Sequence, residues 1–248
     1  MLSKQQKLVG AMLVVLACLV LSGRFGWHAA SVAASGTLGP KVVEIREIQR
    51  VWDAVRITAV AVGTQRIQPG LSGARGEIKP GTPFQADDAW LKNMSITLTN
   101  RTNKPIVCAQ LRLWFPDTGD GTAARPLTHY DIIVGQRPES SLYYKDGSKV
   151  TPDPAKKAFL LAPGKTLVIP IGPESEAIQS TIEGVGNTPF SHVTRVDIEP
   201  INFYFSDGMR WDAVNTGYYI PDTNHPGKYT KLDATYFPGD PARTRTLE

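Results

Sequence analysis

The chain has few cysteines, and its folded body cannot contain an internal disulfide. Cys18 lies in an apolar N-terminal segment, so the body has only Cys108. This excludes the class of small domains that disulfides hold together. The 248 residues are enough to bury a hydrophobic core instead. Cys108 lies in a predicted strand, where we expect it to be a small packed residue.

The chain also lacks a cluster of positive charge. It has 27 basic and 23 acidic residues, but Lys4, Lys7 and Arg24 all precede residue 35, which leaves 24 basic residues against 23 acidic ones. Proteins that bind nucleic acid neutralise phosphates with clustered Lys and Arg side chains. The near-neutral body, which has no basic run, predicts that nucleic acid is not a partner.

No catalytic motif and no metal-ligand spacing occurs in the sequence. The four histidines lie far apart, without a second His or Cys at ligand spacing: His28, His129, His192 and His225. The Gly-x-Ser-x-Gly sequence of a nucleophile elbow is absent. We therefore predict a protein that is not an enzyme and has no catalytic residues, metal ligands or cofactor. A hydrolase whose two carboxylates meet only in space stays open as an alternative.

Two segments resemble ligand-binding loops but lack residues that those loops need. Residues 117–121 (Asp-Thr-Gly-Asp-Gly) have glycines at the third and fifth positions, where an EF-hand loop has oxygen ligands. Residues 164–166 (Gly-Lys-Thr) match the end of a phosphate-binding loop, but Phe159 stands where its first glycine belongs. Both segments are predicted turns.

Only one long apolar run is present, at residues 8–21, and Lys4 and Lys7 precede it. This pattern is typical of an export signal, so residues 1–34 are predicted to be a signal peptide, cleaved before Ser35, or an uncleaved membrane anchor. The run is shorter than the ~20 residues that span a bilayer comfortably, which leaves both interpretations open. The residues proposed for the membrane segment are Leu8, Leu13, Leu16 and Leu21. Either way the body is predicted to be exported: periplasmic, on the cell surface, or anchored facing outward.

The body itself has the alternating pattern of β-strands, most clearly at residues 90–116. Met94, Ile96 and Leu98 alternate with polar residues, and a second apolar row follows in residues 107–115. The polar segment 100–105 lies between these two strands. The pattern predicts a hairpin with one apolar face, which must be buried against a second layer as half of a sandwich.

Other segments complete an all-β prediction. Strands are predicted at residues 54–64, 131–135, 159–161, 167–171, 193–205 and 210–213. Residues 159–171 are predicted to turn back at Pro163-Gly164, Pro200 is predicted to mark a bend, and Asp207-Gly208 is a hairpin signal that places Trp211 on the core. One short helix is predicted at residues 175–183. Residues 65–89 are predicted to be a long loop, either functional or mobile.

Three segments together resemble those of an immunoglobulin-like or fibronectin type III-like β-sandwich of exported bacterial proteins. They are residues 100–105, 163–166 and 205–211, and the resemblance covers residues 51–219. It implies an antiparallel sandwich with long loops. The predicted organisation is a signal or anchor at residues 1–34, a linker at 35–50, the sandwich domain at 51–220 and an irregular tail at 221–248.

These observations predict a non-catalytic module of the cell envelope that binds another envelope or membrane protein, or a surface polymer. The tail supplies the candidate contact residues, because aromatic side chains often anchor interfaces: Tyr218, Tyr219, Tyr229 and Tyr236. The competing interpretation is that these tyrosines only cover the domain. Two other functions stay open, an accessory subunit of a membrane complex held by residues 1–34 and a hydrolase of cell-wall material or polysaccharide.

Overall fold

The computed structural model describes residues 38–46, 53–69, 77–119, 122, 127–139, 142, 148–149, 151, 158–233 and 236–238. All of them belong to one unit, Gly36–Glu248. Strands dominate this part of the chain, which confirms the predicted mostly-β class, and the helix described in it is short. The strands form two sheets.

The elements have the following bounds. The strands are β1 Gly39–Ile45, β2 Val55–Val62, β3 Gln65–Ile67, β4 Glu77–Ile78, β5 Phe84–Ala86, β6 Met94–Asn100, β7 Ile106–Phe115, β8 Thr128–Gly135, β9 Thr166–Pro170, β10 Arg195–Phe205, β11 Arg210–Asp212, β12 Gly217–Pro221 and β13 Tyr229–Lys231. The helix, α1, is Ser175–Gly184.

The larger sheet is built around β10. One edge of β10 pairs along most of its length with β7, which pairs with β8 in turn. Its other edge is shared: β1 pairs with its first half in parallel, and β11 pairs with its second half in antiparallel fashion. The register with β7 shifts between Pro200 and Asn202. Proline has no N–H for the ladder, so the predicted bend at Pro200 is confirmed as an irregularity of the strand. Beyond β1 lies β5, and beyond β11 lie β12 and β13.

The smaller sheet has the order β4-β3-β2-β6-β9. Its pairings are antiparallel except for that of β3 with β4. In β6 the burial alternates residue by residue, as the sequence pattern requires of a strand with one face on a core.

Both sheets contribute to the same hydrophobic core. Val60, Ile96 and Leu98 come from the smaller sheet, and Leu111 and Phe203 come from the larger one. Each such side chain contributes about 1.5–3 kcal/mol when it is fully removed from water. Helix α1 closes one side of this core with Ile178 and Ile182, which lie four residues apart on one helical face.

The hairpin predicted at residues 90–116 is wrong in its pairing, although both strands form. Strand β6 pairs with β2 and β9, whereas β7 pairs with β8 and β10. Residues 100–105 therefore pass from one sheet to the other. Alternation of apolar residues specifies which face of a strand is buried, but it does not specify the neighbouring strand.

The turn at Pro163-Gly164 is a second connection of this kind. Leu161 forms an isolated bridge with Ile106, which belongs to β7, while β9 pairs with β6. The two arms of the predicted Pro-Gly hairpin thus lie against different sheets. Gly164 has φ +69°, a conformation that favours glycine, so the turn itself forms where the sequence places it.

Three segments that were expected to be irregular contain paired strands. The expected linker, residues 35–50, contains β1, and the expected loop, residues 65–89, contains β3, β4 and β5. The expected irregular tail contains β13, and β12 continues to Pro221. Most of these strands have five or fewer residues, so they carry little periodicity of their own and form by pairing with longer neighbours.

Of the remaining element predictions, the strand at residues 159–161 is reduced to the single bridge at Leu161, and the others agree with the structure. Strands β2, β8 and β9 and helix α1 lie where the sequence places them. The Asp207-Gly208 turn joins β10 to β11, with Gly208 at φ +87°, and Trp211 is fully buried on the core side. The pairings are mainly antiparallel, as expected.

Candidate functional site: the outer face of the larger sheet

The predicted tyrosine patch is divided between the core and the outer face of the sheet. Tyr218 is 3% exposed and Tyr236 is 6% exposed, and their rings pack edge to face with centroids 5.4 Å apart. Burial raises the pKa of both phenols above the ordinary value. These two residues support the fold, which is the covering role that the sequence left open.

Tyr219 and Tyr229 lie on the opposite, outward face and are partly exposed. The guanidinium carbon of Arg210 lies 5.0 Å from the centre of the Tyr219 ring and 4.7 Å from that of Tyr229. Lys231 places its Nζ 5.8 Å from the Tyr219 ring centre. Cations at these distances are attracted to the ring faces, so the two tyrosines form part of a cationic surface.

A second aromatic group, the Trp114 cluster, lies on the same face and consists of Trp114, Arg46, Arg112, His129 and Glu199. The guanidinium carbons of Arg46 and Arg112 lie 4.9 and 5.3 Å from the Trp114 ring centre. The His129 ring lies 4.8 Å from that ring, measured between centroids. Trp114 Nε1 donates to Glu199 Oε2 at 2.5 Å. Trp114 remains partly exposed and His129 is exposed, so both are accessible to a partner.

Strand register explains why these side chains meet. Trp114 of β7 lies opposite Asp197 of β10 on one side and opposite His129 of β8 on the other. Residues that face each other across neighbouring strands point to the same side of the sheet. Leu113 and Phe115, which flank Trp114 in β7, are fully buried. Alternation along β7 therefore turns Trp114 away from the core.

Two acidic groups of this face, Asp131 and Asp197, are held by arginines. Arg112 donates from Nε to Asp131 Oδ1 at 2.7 Å and from Nη2 to Asp131 Oδ2 at 2.9 Å. Burial by itself raises the pKa of Asp131, but the hydrogen bonds from Arg112 and Gln110 outweigh it, so this pKa is lowered. Asp131 is therefore ionised at neutral pH and is a poor proton donor.

Asp197 is the buried anchor of the other side of the cluster. Arg46 Nε donates to its Oδ2 at 3.0 Å, and Arg195 Nε donates to its Oδ1 at 2.7 Å. The carboxylate is almost fully buried between these two guanidinium groups. Charge-assisted hydrogen bonds of this kind fix side-chain orientation, so the Arg46 guanidinium is held beside the Trp114 ring.

The three described histidines and Cys108 form no common site. His129 contacts Trp114, His225 Nδ1 lies 2.8 Å from Asp222 Oδ2, and His192 ends a short helical turn at residues 190–192. Cys108 is fully buried in β7. The described residues contain no group of three or more His, Cys, Asp or Glu side chains that could hold a metal ion.

The residues proposed for a membrane segment, Leu8, Leu13, Leu16 and Leu21, lie outside the described residues. Within the described part of the chain, no helix has both the length and the apolar character that crossing a bilayer requires.

The Trp114 cluster was not predicted from the sequence, although the alternation of residues 111–115 indicated part of it. Arg112 and Trp114 occupy the row that alternates with Leu111, Leu113 and Phe115, and this alternation assigns them to the face away from the core. Arg46 and His129 carry no comparable signal, because only strand pairing brings them beside Trp114. The chain matches no protein-family model, and neither the curated proteins nor the solved structures include one that matches it.

Proposed function

We propose that the chain is a non-catalytic binding module of the cell envelope that contacts another envelope protein or a surface polymer through the outer face of its larger sheet. The observation that carries this proposal is the Trp114 cluster. A partly exposed tryptophan beside two arginines is the composition found at the centres of binding interfaces. The strand that carries Trp114, β7, pairs with a strand on each side, and these hydrogen bonds hold its backbone in place.

The fold proposed for this module is an immunoglobulin-like β-sandwich. Two sheets that share one core, short strands and a tight hairpin before Trp211 support this proposal. This chain adds two features to such a sandwich. Strand β1 pairs with β10 in parallel, and three short strands, β3 to β5, are inserted between β2 and β6. A fold of this kind hosts many functions, so the function is argued from the outer face.

Site-specific photo-crosslinking tests the binding function. A photo-crosslinking amino acid in place of His129 sits beside Trp114 on the outer face, whereas the same amino acid in place of Val168 sits exposed on the edge strand of the smaller sheet. In intact envelopes we expect a discrete adduct from position 129 and none from position 168. Adducts at both positions in equal yield, or at neither, would contradict a binding surface centred on Trp114.

Export and anchoring by residues 1–34 belong to this proposal, and the basic start followed by an apolar run supports them. N-terminal sequencing of the native protein distinguishes the two forms. A mature N-terminus at Ser35 is expected for a released module. An intact N-terminus in the membrane fraction would instead favour an accessory subunit of a membrane complex.

A further inference from the structure

A single cross-strand row alternates tyrosine and cation on the outer face of the larger sheet. Tyr204 of β10 lies opposite Arg210, Arg210 lies opposite Tyr219, and Tyr219 lies opposite Lys231. Arg137 extends the row, with its guanidinium carbon 5.4 Å from the ring centre of Tyr204, which is only 3% exposed and so supports Arg137 from beneath. Neighbouring strands lie about 4.8 Å apart, so the row from Tyr204 to Lys231 is about 14 Å long. The cation–tyrosine row thus consists of Arg137, Tyr204, Arg210, Tyr219 and Lys231.

Among the described residues, the row carries three cations and pairs with one carboxylate. Among the described contacts, the carboxylate that pairs with a cation of the row is Asp212, whose Oδ2 lies 3.5 Å from Arg210 Nη2. That carboxylate also accepts hydrogen bonds from the backbone and side chain of Asn215. Glu139, close to Arg137 in sequence, is paired with Lys149. The charge of the row therefore favours an anionic ligand.

The centre of the row also holds an unused donor. Arg210 Nε is buried and has no hydrogen-bond partner. Its guanidinium lies between two tyrosine rings, and the exposed ends of the row are Arg137 and Lys231. Because that nitrogen is buried, a ligand does not reach it, and a ligand carboxylate accepts instead from the exposed cations Arg137 and Lys231.

The backbone of the row is already used by the sheet. Strands β10, β11 and β12 each pair with a strand on both sides. A ligand cannot be recognised by main-chain pairing there, as it would be at a sheet edge. It has to be recognised by the exposed Arg137 and Lys231 and by the partly exposed Arg210 and Tyr219, which suits carboxylates on short apolar stems.

A cavity at the Arg137 end of the row indicates that the ligand also has an apolar group. It is an open depression of about 390 Å³, and its lining residues include Val107 and Phe159 as well as Arg137, Ser206 and Glu139, whose carboxylate is paired with Lys149. Such a space fits an apolar side chain beside an acidic one. A uniformly charged polysaccharide has no apolar side chain that could occupy this space.

We propose that the cation–tyrosine row binds an extended acidic segment of a partner protein, with one apolar side chain of that segment in the cavity beside Arg137. This inference rests on the proposed binding function and names its ligand chemistry. Tyrosine and arginine together are the residues that most often anchor protein partners, and complementary charge sets orientation and association rate.

Fluorescence anisotropy with defined probes tests this proposal on the full chain in mild detergent. The probes are fluorescein-labelled poly-L-glutamate and the same peptide with one central phenylalanine. We expect both to bind at low ionic strength, the phenylalanine peptide more tightly. Arg137→Gln with Lys231→Gln should weaken binding about tenfold, because two exposed cations leave the row without loss of a buried group. Binding should also weaken with salt.

The matched control is Lys92→Gln with Lys165→Gln, which removes the same charge at exposed positions near the smaller sheet. It should leave the affinity within about twofold of the parent value. Equal losses in the two double variants, or no binding of either peptide, would overturn the proposal. Dextran sulfate is the third probe, and tighter binding of it with the same dependence on Arg137 and Lys231 would overturn the assignment to a peptide. The photo-crosslink from position 129 does not depend on these results, so a failure of this ligand assignment is distinguishable from a failure of the binding function.

Discussion

Asp131 shows how single residues fix the outer face of the larger sheet. Its two carboxylate oxygens accept from Arg112, and one of them also accepts from Gln110. Arg112 contacts the Trp114 ring as well, so this carboxylate positions an arginine of the Trp114 cluster. Bidentate pairs of this kind are stronger than ordinary exposed ion pairs, because two parallel hydrogen bonds hold the geometry.

Asp131→Asn is expected to lower stability in a pH-dependent way. The folded-state pKa of Asp131 is lowered, so the carboxylate stabilises the fold above its unfolded-state pKa, and this contribution is lost as the pH falls through the folded-state pKa. We expect a loss of about 1 kcal/mol at pH 7, which shrinks as the pH falls below about 4. Urea unfolding at pH 7, 5 and 3 measures it.

The control for this pair is the same change in an Arg112→Gln background. Because the main partner of Asp131 is then absent, Asp131→Asn should have a much smaller effect at pH 7. A loss of equal size in both backgrounds would show that the ion pair is not its cause.

Substitution of two glycines with positive φ distinguishes the cost of backbone strain from the cost of a steric contact. Gly135 has φ +79°, and a Cβ there would lie 2.2 Å from the Val107 carbonyl oxygen. Gly63 has φ +57°, and a Cβ there would meet nothing within 4 Å. Gly63→Ala should therefore cost about 1 kcal/mol, and Gly135→Ala about 3 kcal/mol, because the second adds overpacking to the strain. Denaturant unfolding of the two variants checks this, and equal losses would refute the contact with Val107.

At the scale of elements, Asn100 joins the two connections that pass between the sheets. Its Nδ2 donates to Lys104 O at 2.8 Å and to Leu161 O at 3.0 Å, and its Oδ1 accepts from the Thr102 N–H at 2.9 Å. Its backbone N–H donates to Lys165 O, and its carbonyl accepts from the Gly164 N–H. One buried amide thus satisfies backbone groups on both sides of the crossing, which a buried connection requires.

Asn100→Ala is expected to destabilise the protein by about 3 kcal/mol, since it leaves buried backbone groups without partners. Asn103→Ala is the matched control, because Asn103 is exposed in the same connection and its backbone bond to Pro238 O survives the change. That variant should stay within about 0.5 kcal/mol of the parent. Thermal unfolding followed by circular dichroism measures both, and similar losses would contradict the role assigned to the Asn100 side chain.

At the scale of the whole molecule, β1 belongs to the folded domain. It pairs with the first half of β10 on one edge and with β5 on the other, so it lies in the interior of the larger sheet. Val43 of β1 is 1% exposed and belongs to the core. The domain therefore includes residues before position 51, where the sequence placed its start.

Two truncations test this start. A variant without residues 1–34 retains β1 and should unfold cooperatively, with a melting temperature close to that of the full chain. A variant without residues 1–50 loses β1, which leaves backbone groups of residues 195–198 unpaired and a space where Val43 packs. Because both effects cost free energy, we expect it to be insoluble or to lack a cooperative transition. A normal transition in the shorter variant would place β1 outside the folding unit.

The sequence predicted the site only in part, and the four candidate tyrosines show why. All four are aromatic residues near the end of the chain, and composition cannot separate them. Pairing of β11 with β12 turns Tyr218 toward the core beside Trp211 and turns Tyr219 outward beside Arg210. A position in a strand is enough to say that neighbours face opposite ways, but the register of the pairing decides which of them is buried.

The amino-acid pattern alone determined a mostly-β body, the position of α1, the bend at Pro200 and the turn at Asp207-Gly208. Each of these depends on local periodicity or on the backbone preferences of one or two residues. Only the tertiary structure decided that β6 and β7 belong to different sheets, that β1 pairs with β10, and that Trp114 meets Arg46 and His129. These outcomes depend on contacts between residues far apart in the chain, whose free energy exists only once the two sheets share a core.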